Sequence, residues 1–210
     1  MPSSTGVSGY INSKKDFLLN LCFALSFFSW AAIGIYKDFG QLSSVRLLTS
    51  LLNLEIGILI LFRLKLKQES SPKAIIKSLP SLLAGGLLFK LAQDYNNWSY
   101  ALQILFALGA CFSLYSFYCL GKNFSIFPSK REISTSGAYK VVRHPAYLGE
   151  SIMLLALALY IAKLWVLALL FIYALSLVWR IHEEETLLAS DKDYILYKAK
   201  TPYRLIPFLW

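Results

Sequence analysis

Six apolar runs decide what this 210-residue chain can become: 17–36, 42–62, 74–91, 100–120, 145–162 and 164–181. A helix that crosses a bilayer needs about 20 mostly apolar residues, and each run is near that length. The reading is an all-α, polytopic membrane helix bundle of about 5–6 crossings. Composition agrees, with 57% of residues hydrophobic and 16% charged, against about 45–50% and 25% in soluble domains.

The runs differ in quality. Phe17–Tyr36 is too long for the apolar region of a cleaved signal and reads as a retained span. Leu42–Phe62 carries Arg46 near one end and Glu55 inside, the latter expected as a polar anchor between helices in preference to part of a cavity. Ala74–Leu91 is the weakest, interrupted by Pro80 and Gly85-Gly86, and reads as a kinked span or a re-entrant segment. Asp94–Trp98 reads as an interfacial turn with aromatic anchors. Pro145 stands where a proline is tolerated, in the first turn of a helix. From there two short arms joined at Lys163 form a hairpin. The longest polar stretch, 121–143, is too short to bury a core of its own. Three segments follow: a polar tail at 1–16, spans over 17–119, and a core over 120–210 with a cytoplasmic pocket.

The net charge is +9. Basic residues cluster in loops beside apolar runs, as in juxtamembrane segments facing anionic lipid, and not as in a nucleic-acid-binding surface. With six crossings, the loops 63–77 and 121–144 and both termini share one side, which collects nearly all the basic residues and is expected to be cytoplasmic. Cys22, Cys111 and Cys119 lie inside apolar runs without metal-ligand spacing, so they read as buried small hydrophobes. No metal is expected, since two histidines cannot build a His-rich site. Small residues form no dimer face from which an oligomeric state would follow.

Three polar features fall on the basic side: Tyr139 with Arg143-His144-Pro145-Ala146-Tyr147, Arg180 with Glu184-Glu185, and a tail rich in tyrosine from Tyr194 to Pro207. Ionisable residues at the mouth of a span are costly and tend to be functional. Arg180 and Glu184 share a helix face and form either an ordinary i,i+4 pair or part of a pocket. His144 is either a capping interfacial histidine or a ligand group, and the tail's aromatics by default form a membrane-interface belt. The hairpin returns the chain to the side it left, so His144 and Arg180–Glu184 are expected to meet. No GxGxxG or GxxxxGK[ST] fingerprint competes.

In order and spacing, Leu120–Pro128, Ser136-Gly-Ala-Tyr139, Val142-Arg-His-Pro-Ala-Tyr-Leu-Gly149, Arg180 with Glu184-Glu185, and the Tyr-x-x-Tyr tail resemble the isoprenylcysteine carboxyl methyltransferase family. That family is a branch of the integral-membrane methyltransferases that also include phospholipid N-methyltransferases. The resemblance implies S-adenosyl-L-methionine as cofactor and an isoprenoid or other lipid substrate. It implies cofactor contacts at Arg131, Glu132, Ile133, Ser134, Tyr139, His144, Pro145, Ala146, Tyr147 and Glu184, with Arg180 holding the substrate's reacting carboxylate. The link 189–193 lacks the family's Phe-Gly-type turn, and the first 119 residues match only as apolar spans. The readings set against it are an NADPH-dependent membrane reductase of lipid or sterol double bonds, a phospholipid-headgroup N-methyltransferase, and a non-catalytic scaffold.

Overall fold

The computed structural model describes residues 13–37, 43–63, 71–91, 98–130 and 132–210. Among them are seven α-helices and no strand: α1 (Ser13–Lys37), α2 (Ser44–Phe62), α3 (Pro72–Leu91), α4 (Tyr100–Leu120), α5 (Pro145–Ile161), α6 (Leu164–Leu188) and α7 (Lys192–Lys200). Two 3₁₀ turns, Gly121–Asn123 and Gly137–Lys140, interrupt the loop between α4 and α5. Five helices, α1 to α4 and α6, are long and apolar enough to cross a membrane. The sixth, α5, is apolar but only 17 residues long.

The helix ends follow from local chemistry. Ser43 and Ser99 cap α2 and α4 through hydroxyls that accept from the amides of Arg46 and Leu102. Pro145 opens α5 as expected, and α5 ends at Ala162, which takes the left-handed conformation (φ 50°) and donates its N–H to Ala158 O at 3.0 Å. From Lys163 the chain returns as α6, which runs seven residues past the expected end at Ile181. That last stretch carries Glu184 and Glu185 on continuous helix.

The helices run up and down. Arg46 Nη1 donates to Lys37 O at 2.9 Å, joining the end of α1 to the start of α2, while Arg63 hydrogen-bonds Asn20 at the other end of the same pair. Ser44 ties the start of α2 to Gln103 near the start of α4. Lys77 pairs with Glu183, joining the start of α3 to the end of α6. Between α4 and α5 the backbones nearly touch: a Cβ on Gly109 would lie 2.8 Å from Gly149 O, and one on Gly149 would lie 2.3 Å from Ser113 Oγ. Small residues permit this approach, the usual route to close helix packing in lipid.

The doubtful run 74–91 forms one continuous 20-residue helix through Pro80. The reason is tertiary. The Ser176 hydroxyl of α6 accepts from the Ser81 amide at 3.0 Å and donates to Lys77 O at 3.1 Å. It thereby bridges the donor and acceptor that the proline disturbs, and a proline inside a span is tolerated when a neighbour satisfies the freed groups.

Several expectations need correcting. Cys22 and Cys111 are exposed and Cys119 is half-buried, all as free thiols. Cys22 and Cys111 lie on outward faces of spans, where lipid is as apolar as a core, while Cys119 packs against the Tyr139–Tyr194–Tyr197 cluster. Trp98 is no interfacial anchor: it is buried, stacked on Tyr160 with centroids 4.6 Å apart and edge-on to Phe106. Glu55 anchors nothing identifiable, since its Oε2 is buried with no hydrogen-bond partner among the described residues. The expected tail 1–12, the loop part 64–70, the turn part 94–97 and Arg131 lie outside the described residues.

Candidate active site

Two neighbouring carboxylates on α6 organise the basic end of the bundle. Adjacent residues on a helix point about 100° apart, so Glu184 and Glu185 cannot share a partner. Glu185 is 5% exposed and accepts from Arg143 Nε at 2.8 Å, His144 Nε2 at 3.3 Å and Arg204 Nε at 3.0 Å. Arg143 also donates from Nη1 to Thr201 O at 2.8 Å and Pro202 O at 2.6 Å. The amides of Arg143 and His144 donate to Tyr203 O and Arg204 O, both at 2.9 Å. This knot joins the α5 start, the α6 end and the tail.

The tail is therefore the floor of the site and not an aromatic belt. Tyr194 and Tyr197 are buried against Tyr139, and the Tyr197 hydroxyl donates to Tyr139 O at 2.7 Å. Asp191, accepting from the Asp193 amide, caps α7 in place of the missing Phe-Gly turn. Burial holds the Tyr139, Tyr194 and Tyr197 hydroxyls well above the ordinary phenol range, with Glu184 adding to the effect at Tyr139 and Glu185 at Tyr194.

Glu184 faces the other way. Its Oε2 accepts from the Tyr147 hydroxyl at 2.8 Å. The Tyr147 ring stacks with His144 (centroids 5.5 Å apart, planes at 6°) and lies 4.7 Å from Arg180 Cζ, a cation–π distance. Arg180 is 4% exposed; it donates from Nη2 to Ile126 O, while Nε has no partner among the described residues. The expected alternative, an Arg180–Glu184 ion pair, is not formed.

These groups line a cavity of about 670 Å³ that also reaches between α1, α2 and α3. Three of its lining residues carry a buried polar atom without a hydrogen-bond partner among the described residues, Arg180 Nε, Asn123 Oδ1 and Ser129 Oγ, while the Ser113 hydroxyl, also unpartnered there, lies against Gly149 in the α4–α5 contact. Buried polar atoms are normally satisfied, and a cluster of exceptions around one cavity marks where a ligand's polar atoms belong.

Of the residues singled out from sequence, Tyr139, His144, Ala146, Tyr147, Arg180 and Glu184 line this cavity. Pro145 is buried behind it, positioning its neighbours as the first residue of α5. Glu132, Ile133 and Ser134 are not in the wall: Glu132 is exposed, Ile133 packs against the tyrosine cluster, and Ser134 Oγ donates to Cys119 O at 2.7 Å. Asn123, Ser125 and Ser129 stand in the wall instead. Sequence reasoning missed those three, and also Glu150, one turn beyond Tyr147 and facing the cavity. The legible signal for Glu150 was its place in the Tyr147-Leu-Gly-Glu150 run, which puts it three residues on from Tyr147 and on the same face.

Residues 98–191 match the family model of phospholipid methyltransferases. That span, just under half the chain, covers α4, α5, α6 and the loop holding Asn123 to Tyr139. It supports the broad kinship with integral-membrane methyltransferases. Neither a curated protein nor a solved structure matches the chain.

Proposed function

We propose that the chain transfers methyl groups from S-adenosyl-L-methionine to a lipophilic acceptor arriving from the membrane, foremost a carboxylate such as that of a prenylated cysteine. One observation carries the reading: unpartnered buried polar atoms converge, beside Glu184 and Arg180, on a cavity that continues between apolar helices. The phospholipid methyltransferase match over the same elements supports it. On this reading 120–210 is the catalytic core, 17–119 encloses the acceptor's tail, and the basic end of the bundle faces the cytoplasm.

The residues fit such a donor. Glu184 keeps Oε1 without a hydrogen-bond partner among the described residues, ready for an ammonium. Asn123 and Ser129 offer unspent polar atoms, and Tyr139, His144, Ala146 and Tyr147 form the adjoining wall. When bound, the donor would supply an electrophilic methyl group on a sulfonium. Arg180 would hold the acceptor carboxylate through its Nε edge, which suits a planar fork. A carboxylate held by Arg180 is already an anion, so accepting a methyl group from such a sulfonium, which would leave as the neutral thioether, would need no base from the chain. Positioning and exclusion of water then carry most of the rate.

A second reading, N-methylation of a phospholipid amine, is favoured by Glu150 and by the matched family's description. Glu150 lines the cavity with no hydrogen bond or ion pair among the described residues. Calorimetric titration of the purified chain with S-adenosyl-L-methionine, its demethylated product and NADPH tests the donor. The first two should bind; binding of NADPH alone would establish a reductase, and binding of none a scaffold. Label transfer to a prenylcysteine analogue or to phosphatidylethanolamine then separates the two acceptors.

A further inference from the structure

Arg180 and Glu150 bring opposite charges to one cavity and do not pair with each other. Arg180 is 4% exposed, forms no ion pair among the described residues, and keeps Nε unpartnered. Glu150, half-buried on α5, has neither an ion pair nor a hydrogen bond there. An unpaired charge inside a membrane is costly and marks a place where a ligand or ion belongs.

Neighbouring polar groups do not answer the carboxylate. Ser151, next to it on α5, gives its hydroxyl to Tyr147 O at 2.7 Å and meets the Tyr173 hydroxyl at 3.2 Å. On the α3 side stands Gly85, where a Cβ would lie 3.4 Å from Glu150 Oε1. The carboxylate is thus lodged between α5 and a stretch of α3 that offers it no side chain.

The two charges stand at different depths. The Ser176 hydroxyl bridges Lys77 O and the Ser81 amide, which sets α6 level with α3 at that point. Arg180 lies one turn from Ser176 toward the basic end, where its Nη2 donates to the Ile126 carbonyl of the loop. Gly85, with Glu150 against it, lies one turn from Ser81 in the opposite direction, because α3 runs away from the basic end. The contact between Ser151 and Tyr173 agrees, since Tyr173 precedes Arg180 by about two turns of α6. From the reacting end inward, the wall therefore offers a cation, then a carboxylate, then apolar side chains at Met153 and Phe89.

An acceptor that answers this series carries an anion at its tip, a cation next and its apolar chain last. That is the order in an amino acid with a lipid on its side chain: carboxylate, α-ammonium, chain. Phosphatidylethanolamine has the reverse order, with the amine at the tip and the phosphate nearer the chains. An N-acylated residue at the end of a protein has the carboxylate but only an amide N–H, which leaves the Glu150 charge uncancelled. On the reading that Arg180 holds a reacting carboxylate, we propose that Glu150 binds an ammonium of the acceptor, which is a lipid-bearing amino acid with a free α-amine. Glu150 then sets specificity, and the nitrogen it holds stays protonated while the carboxylate reacts.

S-farnesylcysteine and its N-acetyl derivative differ by that ammonium. Calorimetry on the full chain in neutral detergent, saturated with the demethylated donor product, should show the free amine bound at least about tenfold more tightly. Label transfer from S-adenosyl-L-methionine should favour it by a similar factor in kcat/KM. Glu150→Gln keeps the shape and removes the charge. It should weaken the free amine roughly 30-fold or more and bring the ratio of the two compounds close to one. A preference that survives Glu150→Gln would be steric and would overturn the proposal. So would equal loss for both compounds, no preference in the unsubstituted chain, or Glu150-dependent transfer to phosphatidylethanolamine in place of S-farnesylcysteine. A Glu150-dependent binding preference without any methyl transfer would instead sink the methyl-transfer reading and leave the ammonium site standing.

Discussion

Glu185 and Arg180 sit five residues apart on one helix, both charged and both nearly inaccessible. Their surroundings are opposite. Glu185 meets two arginines and a histidine, and its Arg143 partner also donates from Nη1 to two tail carbonyls. Arg180 has one carbonyl, an aromatic face and an idle Nε. A satisfied buried charge holds structure together; an unsatisfied one facing a cavity leaves a place for something else. The same contrast separates Glu185 from Glu184, which has a single hydroxyl partner. Of the pair, Glu185 builds the floor and Glu184, the one the family resemblance singles out, faces the cavity.

The contrast can be broken at several points. The largest effect is expected from Glu185→Ala. It leaves Arg143 buried without its carboxylate, a loss of about 3–5 kcal/mol. Detergent melts should show a large drop in unfolding temperature. A melt close to that of the unsubstituted chain would mean that the knot is not structural.

Arg180→Ala should do the reverse. Its fold should survive, because the side chain anchors only one backbone carbonyl. Turnover of a carboxylate acceptor should fall by about 2–5 kcal/mol in transition-state terms, while donor affinity stays within a few-fold. Glu184→Gln should weaken the donor first. Equal loss of donor affinity in both variants would erase the division of roles between them.

The smallest effect concerns pH. The hydroxyls of Tyr139, Tyr194 and Tyr197 ionise above the ordinary phenol range in the folded chain. Unfolded tyrosine ionises near pH 10, so above that pH the native state holds more protons than the unfolded one, and stability falls as pH rises. Below about pH 10 their contribution is complete. Ultraviolet titration should show these three phenols silent where the exposed tyrosines already ionise, and Tyr197→Phe should lower stability without shifting that onset.

Much of the fold was legible because membrane insertion is local physics. Run length and the scarcity of interior charge predict the helices, and Pro145 marks the start of one of them. The site was partly legible for the same reason: a hairpin of known length returns Arg180 and Glu184 to His144 and Tyr147. Two things were not legible. Pro80 argued for a break that Ser176, 96 residues later, repairs. The tail's tyrosines look like interface anchors until Arg143 draws the tail carbonyls underneath the site.

The sequence by itself determined the helices and the residue types available at the basic end, since these follow from run length and from the cost of placing polar groups in lipid. Only the tertiary structure decided which carboxylate is spent on three side-chain partners and which faces the cavity, and that Asn123, Ser129 and Glu150 join the cavity. Those outcomes depend on partners distant in sequence, and a hydrogen bond or ion pair exists only where the fold brings donor and acceptor within about 3 Å.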